Sequence, residues 1–171
     1  DGPRLAVNFL AERGIALVIE PHLSPTRLDG AAMIGRSGAP VIGLTLREDR
    51  LDNFWFTLMH ELVHAWKHLD SETNRAIADE NIEKNAKDIS EIEREANELA
   101  AEILIEKAVW HRSQAHLSPS VQAIHEFATR MQLSPAIVAG RIRAERGNYA
   151  LFSKLVGLRA VRAMFPEVRW T

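Results

Sequence analysis

The sequence contains no cysteine, so several classes of protein are excluded at the outset. A disulfide framework, a thiolate zinc finger, an iron–sulfur cluster and a cysteine nucleophile all require this residue. Any metal ion in this protein must therefore be held by histidine, aspartate or glutamate. The sequence also lacks both an N-terminal signal segment and an apolar run near the roughly 20 residues of a membrane-spanning helix. These two absences predict a soluble, cytoplasmic protein.

No methionine opens the chain, which begins with Asp1. Because processing of an initiator methionine before aspartate would be unusual, we expect a fragment of a longer protein. The 171 residues, of which 46% are hydrophobic and 26% charged, are typical of one globular domain. We expect that domain to span 1–171, with a helix and a sheet in 1–50, the principal helices in 52–108 and a C-terminal helical part in 118–171.

The pattern of apolar residues predicts an α+β fold, with a small three-stranded antiparallel sheet packed on a mainly helical core. The strands are expected at 15–19, 31–35 and 41–46. A polar, irregular connection is expected at 70–88. The helices are expected at 5–13, at 53–68 with Asp52 as its N-cap, at 90–107, at 118–131, at 134–145 and, as one or two short helices, at 149–164.

The residues His60-Glu61-Leu62-Val63-His64 form an H-E-x-x-H pattern inside the predicted helix 53–68. Residues four apart on a helix lie on one face, about 5–6 Å from each other, so the two imidazoles can converge on one metal ion. Glu61 lies about 100° further round the helix, beside the metal, where it can accept a proton from metal-activated water. The pattern therefore predicts two metal ligands and the general base of a hydrolase.

A catalytic zinc ion needs a third protein ligand, and the richest source of carboxylates is the predicted helix around 91–102. The helical period places Glu93 and Glu95 on opposite borders of its apolar stripe, and it places Glu98 opposite the stripe, facing solvent. Periodicity alone does not choose between Glu93 and Glu95. Two histidines and one glutamate suit zinc best, with manganese and iron as the alternatives.

The H-E-x-x-H pattern is followed about 30 residues later by Glu93-Arg94-Glu95-Ala96-Asn97-Glu98-Leu99-Ala100. This arrangement resembles the ImmA/IrrE family of zinc metallopeptidases, which are of the gluzincin type. Residues 52–58 and 134–141 resemble in particular the domain that follows an Xre-type helix-turn-helix in HigA-like antitoxin regulators. The resemblance, which covers about 15–165, implies a minimal gluzincin fold, a Zn²⁺ ion and cleavage of, or binding to, regulatory proteins.

In that family the glutamate directly before the alanine of the second motif is the third ligand, which implies the set His60, His64 and Glu95. The larger gluzincins carry an aspartate four residues after the ligand glutamate, and here that place holds Leu99. The group that orients the ligand histidines is therefore left open. A peptidase also stabilises an oxyanion, and the candidates for that role are His125, Arg141 and Tyr149.

Two functions are consistent with these residues. The first is a zinc endopeptidase that cleaves a repressor-like protein, which the intact Glu61 favours because a purely structural site needs no base. The second is a metal-binding sensor or interaction domain of a toxin–antitoxin transcription regulator, which the absent initiator methionine favours. The expected partners are a protein substrate or repressor-like regulator, a cognate toxin, a second copy in a homodimer, and DNA only through a preceding helix-turn-helix.

Overall fold

The computed structural model describes residues 2–22, 28–70, 72, 75–80 and 91–170. Within these residues the protein has an α+β fold, with seven α-helices and one four-stranded sheet. In chain order the elements are α1 (Gly2–Ala11), β1 (Ala16–Ile19), β2 (Leu28–Ile34), β3 (Pro40–Leu44), α2 (Leu51–Val63), a π turn (His64–His68), β4 (Ala76–Glu80), α3 (Glu91–Leu104), α4 (Lys107–Trp110), α5 (Gln114–Leu117), α6 (Val121–Met131), α7 (Pro135–Glu145) and a 3₁₀ turn (Arg162–Met164).

The sheet has the order β1-β3-β2-β4 and is mixed, so the expected three-stranded antiparallel sheet is wrong in two respects. First, β1 pairs with β3 in parallel, because the β2–β3 hairpin brings β3 back alongside β1 in the same direction. Second, β4 pairs antiparallel with β2 from within the segment expected to be irregular. β4 holds one large apolar residue, Ile77, so the pattern of apolar residues could not reveal it.

The core consists of two clusters of buried side chains with α2 between them. One cluster joins the sheet to α2 and the C-terminal segment through Ile42, Leu44, Phe54, Leu58 and Phe165. The other lies among the later helices and is built around Trp110, Ile124, Phe127, Val138 and Ile142. Because α2 also contacts β2, β3, α3 and α7, the polar side chains of its second half are removed from water.

Asp52 does not cap α2, contrary to expectation. Arg50 occupies the N-cap position, and the buried carboxylate of Asp52 instead accepts hydrogen bonds from Arg50 Nε at 3.0 Å and Arg143 Nη1 at 3.5 Å. A buried carboxylate needs such charged donors, and they tie α2 to α7. Gly140 makes this approach feasible, since a Cβ there would lie 2.7 Å from the Cβ of Asp52.

The later helices follow the expected pattern less closely towards the C-terminus. Ser120 and Ser134 cap α6 and α7 by accepting hydrogen bonds from backbone N–H groups in the first turn, and Pro135 begins α7. The expected helix at 149–164 is wrong: the segment consists of turns that end in the 3₁₀ turn. In the part of the chain that the structure describes, no helix is long and apolar enough to cross a membrane.

Candidate metal centre

Three histidines at intervals of four residues form a row along α2 and the π turn. His60 and His64 are almost completely buried, at 3% and 0% exposure, and their Nε2 atoms lie 2.9 Å apart. The π turn continues the row to His68, because the N–H of Leu69 donates to the carbonyl of His64 rather than to that of Ala65. The first two members form the imidazole pair that the H-E-x-x-H pattern predicts.

The carboxylate beside this pair belongs to Glu93, on α3. Its Oε2 lies 3.2 Å from His60 Nε2, and its Oε1 lies 3.4 Å from His64 Nε2. Contacts with the His60 imidazole and then with the His64 imidazole hold the pKa of the Glu93 carboxyl well below its usual range. The carboxyl group is therefore ionised, as a metal ligand must be.

The three donors fit a zinc ion. Bonds of about 2.0–2.1 Å at tetrahedral angles place the ligand atoms roughly 3.3 Å from one another. The separations of 2.9, 3.2 and 3.4 Å among the His60, His64 and Glu93 donors are close to that value. Among residues 2–22, 28–70, 72, 75–80 and 91–170, this is the one group of three or more histidine, aspartate or glutamate side chains whose ligand atoms all lie within 4.8 Å of one another.

The structure does not bring Glu95, the expected third ligand, to the imidazole pair, where Glu93 lies instead. The Glu95 carboxylate instead accepts hydrogen bonds from Lys67 and from His68, whose Nε2 lies 2.9 Å from Oε2. These bonds, that from His68 first, lower the pKa of Glu95. Side chains two residues apart on a helix point in nearly opposite directions round its axis. Glu93 and Glu95 therefore reach different members of the histidine row. Glu98 is exposed, as its helical position predicted.

Asn97 supplies the group that orients His60, a question that the sequence left open. Its Oδ1 lies 3.1 Å from His60 Nδ1, so the ring can donate its Nδ1–H there while Nε2 faces the metal position. Asn97 follows Glu93 by four residues, which is the spacing that the gluzincin pattern requires. Sequence reasoning missed it because that spacing was counted from Glu95 and ended at Leu99.

Glu61, the predicted general base, is completely buried against strand β2. A Cβ at Gly30 would lie 2.8 Å from both Cγ and Cδ of Glu61, so only glycine permits the two elements to pack this closely. Glycine inside a strand often marks such an approach of another group to the backbone. That signal was present in the sequence, and Gly30 is a residue that sequence reasoning missed.

We expect Gly30→Ala to displace the Glu61 carboxylate and so to reduce hydrolysis by roughly tenfold to 100-fold, because small misplacements of a catalytic group have effects of this size. The measurement is the rate of substrate cleavage together with zinc content. Gly43→Ala in β3 is the matched control, since nothing lies within 4 Å of the Cβ it would add. Equal rates for the two variants would contradict this role of Gly30.

A cleft of about 380 Å³ opens beside His60, Glu93 and Asn97. Its apolar wall includes Phe56, Leu104, Ile105 and Ile137. Such a mixture of an apolar wall and a few polar groups is typical of a ligand-binding cleft.

Two of the three oxyanion candidates, Arg141 and Tyr149, line the cleft, whereas His125 is exposed on α6 and does not. Arg141 has a structural task, because its Nη1 donates to the carbonyls of Ala101 and Ile105 at the C-terminal end of α3 and its Nε donates to Glu145. Tyr149 is 62% exposed. Its position on the cleft leaves it the more accessible of the two.

A comparison with curated proteins found no match. The family model described as IrrE N-terminal-like domain, a peptidase family designated M78, matches residues 12–143. The matched region includes the sheet, both helices of the candidate metal centre and nearly all of α7. Because the match covers well over half of the chain, this protein belongs to the IrrE N-terminal-like peptidase family, the ImmA/IrrE family that its motifs resemble.

Proposed function

We propose that this protein is a zinc-dependent endopeptidase that cleaves a regulatory, repressor-like protein. Membership of a peptidase family supports hydrolysis of a peptide bond. The observation that carries the proposal is the convergence of His60 Nε2, His64 Nε2 and the Glu93 carboxylate on one point, with Glu61 held rigidly in the same helix. Preorganised side chains of this kind are what catalysis of a slow hydrolysis requires.

In this proposal His60, His64 and Glu93 hold the metal, and two imidazoles with one carboxylate favour zinc over manganese or iron. A zinc ion supplies Lewis acidity, which polarises the scissile carbonyl and makes water acidic near neutral pH. The protein contributes the base: the Glu61 carboxylate accepts the proton of the attacking water and passes it to the leaving amine. The cleft beside His60 receives an apolar side chain of the substrate, and Tyr149 is the first candidate to donate a hydrogen bond to the oxyanion.

The test begins with metal analysis of protein purified without added metal, for which we expect one zinc ion per chain. Incubation with the regulator and toxin proteins encoded beside this chain should then yield cleavage that a chelator stops and added zinc restores. A folded protein that takes up no zinc would contradict the metal centre. Zinc uptake without cleavage of any co-encoded protein would contradict the endopeptidase assignment.

One observation favours a second candidate, a metal-binding sensor or interaction domain of a toxin–antitoxin transcription regulator. Glu61 is fully buried and is not among the residues that line the cleft, as would suit a structural rather than a catalytic metal site. In that case the same incubation should show stable, zinc-dependent binding of an intact partner. A cognate toxin, a second copy of the chain and DNA bound through a preceding helix-turn-helix remain proposed partners, and a cytoplasmic location remains a prediction.

A further inference from the structure

The third histidine of the row connects the candidate metal ligand His64 to a carboxylate. His64 Nδ1 lies 2.8 Å from His68 Nδ1, and His68 Nε2 lies 2.9 Å from Glu95 Oε2. The side chain of His68 is only 6% exposed, whereas that of Glu95 is 41% exposed. A continuous line of hydrogen bonds thus runs from the buried ligand to an ionised group at the surface.

The positions of the protons along this line follow from its carboxylate end. The Glu95 carboxylate can only accept, so His68 must donate its Nε2–H. In the tautomer with its proton on Nε2, His68 accepts at Nδ1, and His64 donates its own Nδ1–H there. The Nε2 of His64 is consequently left with its lone pair directed towards Glu93 and His60. That tautomer is the one that a metal ligand at this position needs.

We propose that His68 and Glu95 are positioning residues that hold His64 in the tautomer and ring orientation for metal binding. This inference rests on the proposed function and deepens it, because it gives Glu95 a role in the metal centre without making it a ligand. Lys67 donates a hydrogen bond to the other oxygen of the Glu95 carboxylate. The π turn places His68, four residues after His64, on the same face of the helix. His60 is oriented separately, by the neutral amide of Asn97.

The two candidate ligand histidines therefore have hydrogen-bond partners that differ in strength as acceptors. A hydrogen bond that ends on a carboxylate raises the basicity of an imidazole more than one that ends on an amide. Removing the His68–Glu95 line should accordingly weaken zinc binding through His64 even though every ligand remains. Substitution of such outer partners typically lowers metal affinity by about 10- to 100-fold.

The first experiment measures zinc affinity by competition with a chelating dye. We expect His68→Gln to weaken affinity by about 10- to 100-fold, and Glu95→Gln to weaken it less, because the amide oxygen still accepts but is uncharged. His125→Gln and Glu98→Gln are matched controls, since both residues are exposed. Affinities of His68→Gln and Glu95→Gln equal to those of the controls would overturn the proposal.

The second experiment is ¹⁵N NMR of the imidazole rings in the zinc-free and the zinc-loaded protein. We expect a protonated Nδ1 on His64 in the wild type and a loss of this preference in His68→Gln, whereas a merely structural role would leave the tautomer unchanged. Thermal unfolding of the zinc-free variants shows whether they remain folded, and Glu95→Gln carries the test if His68→Gln does not. If the wild type binds no zinc, the proposed function fails, while the zinc-free spectra still decide whether His68 fixes His64.

Discussion

Replacing Glu93 by alanine is expected to weaken zinc binding more than about 100-fold, beyond the range typical of an outer partner of a ligand. The reason is that Glu93 supplies the one carboxylate within reach of both His60 Nε2 and His64 Nε2 among the described residues. Without it, two neutral imidazoles must hold a divalent cation alone. Dissociation constants from chelator competition, measured at a fixed pH, give the result.

Glu98→Ala is the matched control and Glu95→Ala the comparison variant, because all three glutamates lie on α3 within two turns. Glu98→Ala should bind zinc as the wild type does, since its side chain is exposed. Glu95→Ala should fall between the two, through its contact with His68 rather than with the metal. An affinity for Glu95→Ala as low as that for Glu93→Ala would contradict Glu93 as the proposed third ligand.

Glu61→Gln is expected to retain one zinc ion per chain and to lose cleavage by about 10²- to 10⁴-fold, the usual contribution of a general base. Glutamine has nearly the same volume as glutamate, so it can occupy the tight space against Gly30 without disturbing His60 or His64. What disappears is the ability to accept a proton. The measurement is the single-turnover rate of cleavage, with zinc content determined on the same sample.

Two outcomes would speak against Glu61 as the base. An unchanged rate would mean that another group takes the proton. Loss of zinc from Glu61→Gln would mean that the carboxylate supports the metal centre itself, as in the sensor function. Glu98→Gln, at an exposed position of α3, controls for the removal of one negative charge near the site.

The part of the site that lies within one helix could be predicted from the sequence. His60, Glu61 and His64 are fixed relative to one another by the period of α2, so their spacing alone was informative. The choice between Glu93 and Glu95 depends instead on how α3 packs against α2. The spacing of residues within α3 carries no information on that packing. The family resemblance implied Glu95 as the third ligand. The packing of the two helices instead places Glu93, two residues earlier, beside His60 and His64.

The same reasoning applies to the sheet and to Asp52. Short apolar runs predicted β1, β2 and β3, yet the parallel pairing of β1 with β3 depends on which strands become neighbours. Asp52 is a good N-cap residue by local rules, but a buried contact with Arg143, 91 residues away along the chain, determines its role. In this protein, the role of a residue could be predicted wherever it depends on a single helix or strand.

Arg141 holds the carbonyls of Ala101 and Ile105 at the end of α3, and α3 packs directly against α2. The position of α3, and with it that of Glu93, therefore depends on a residue of α7 that is not one of the three candidate metal ligands. Loss of the Arg141 side chain is expected to weaken zinc binding indirectly, because Glu93 would no longer be held beside His60 and His64.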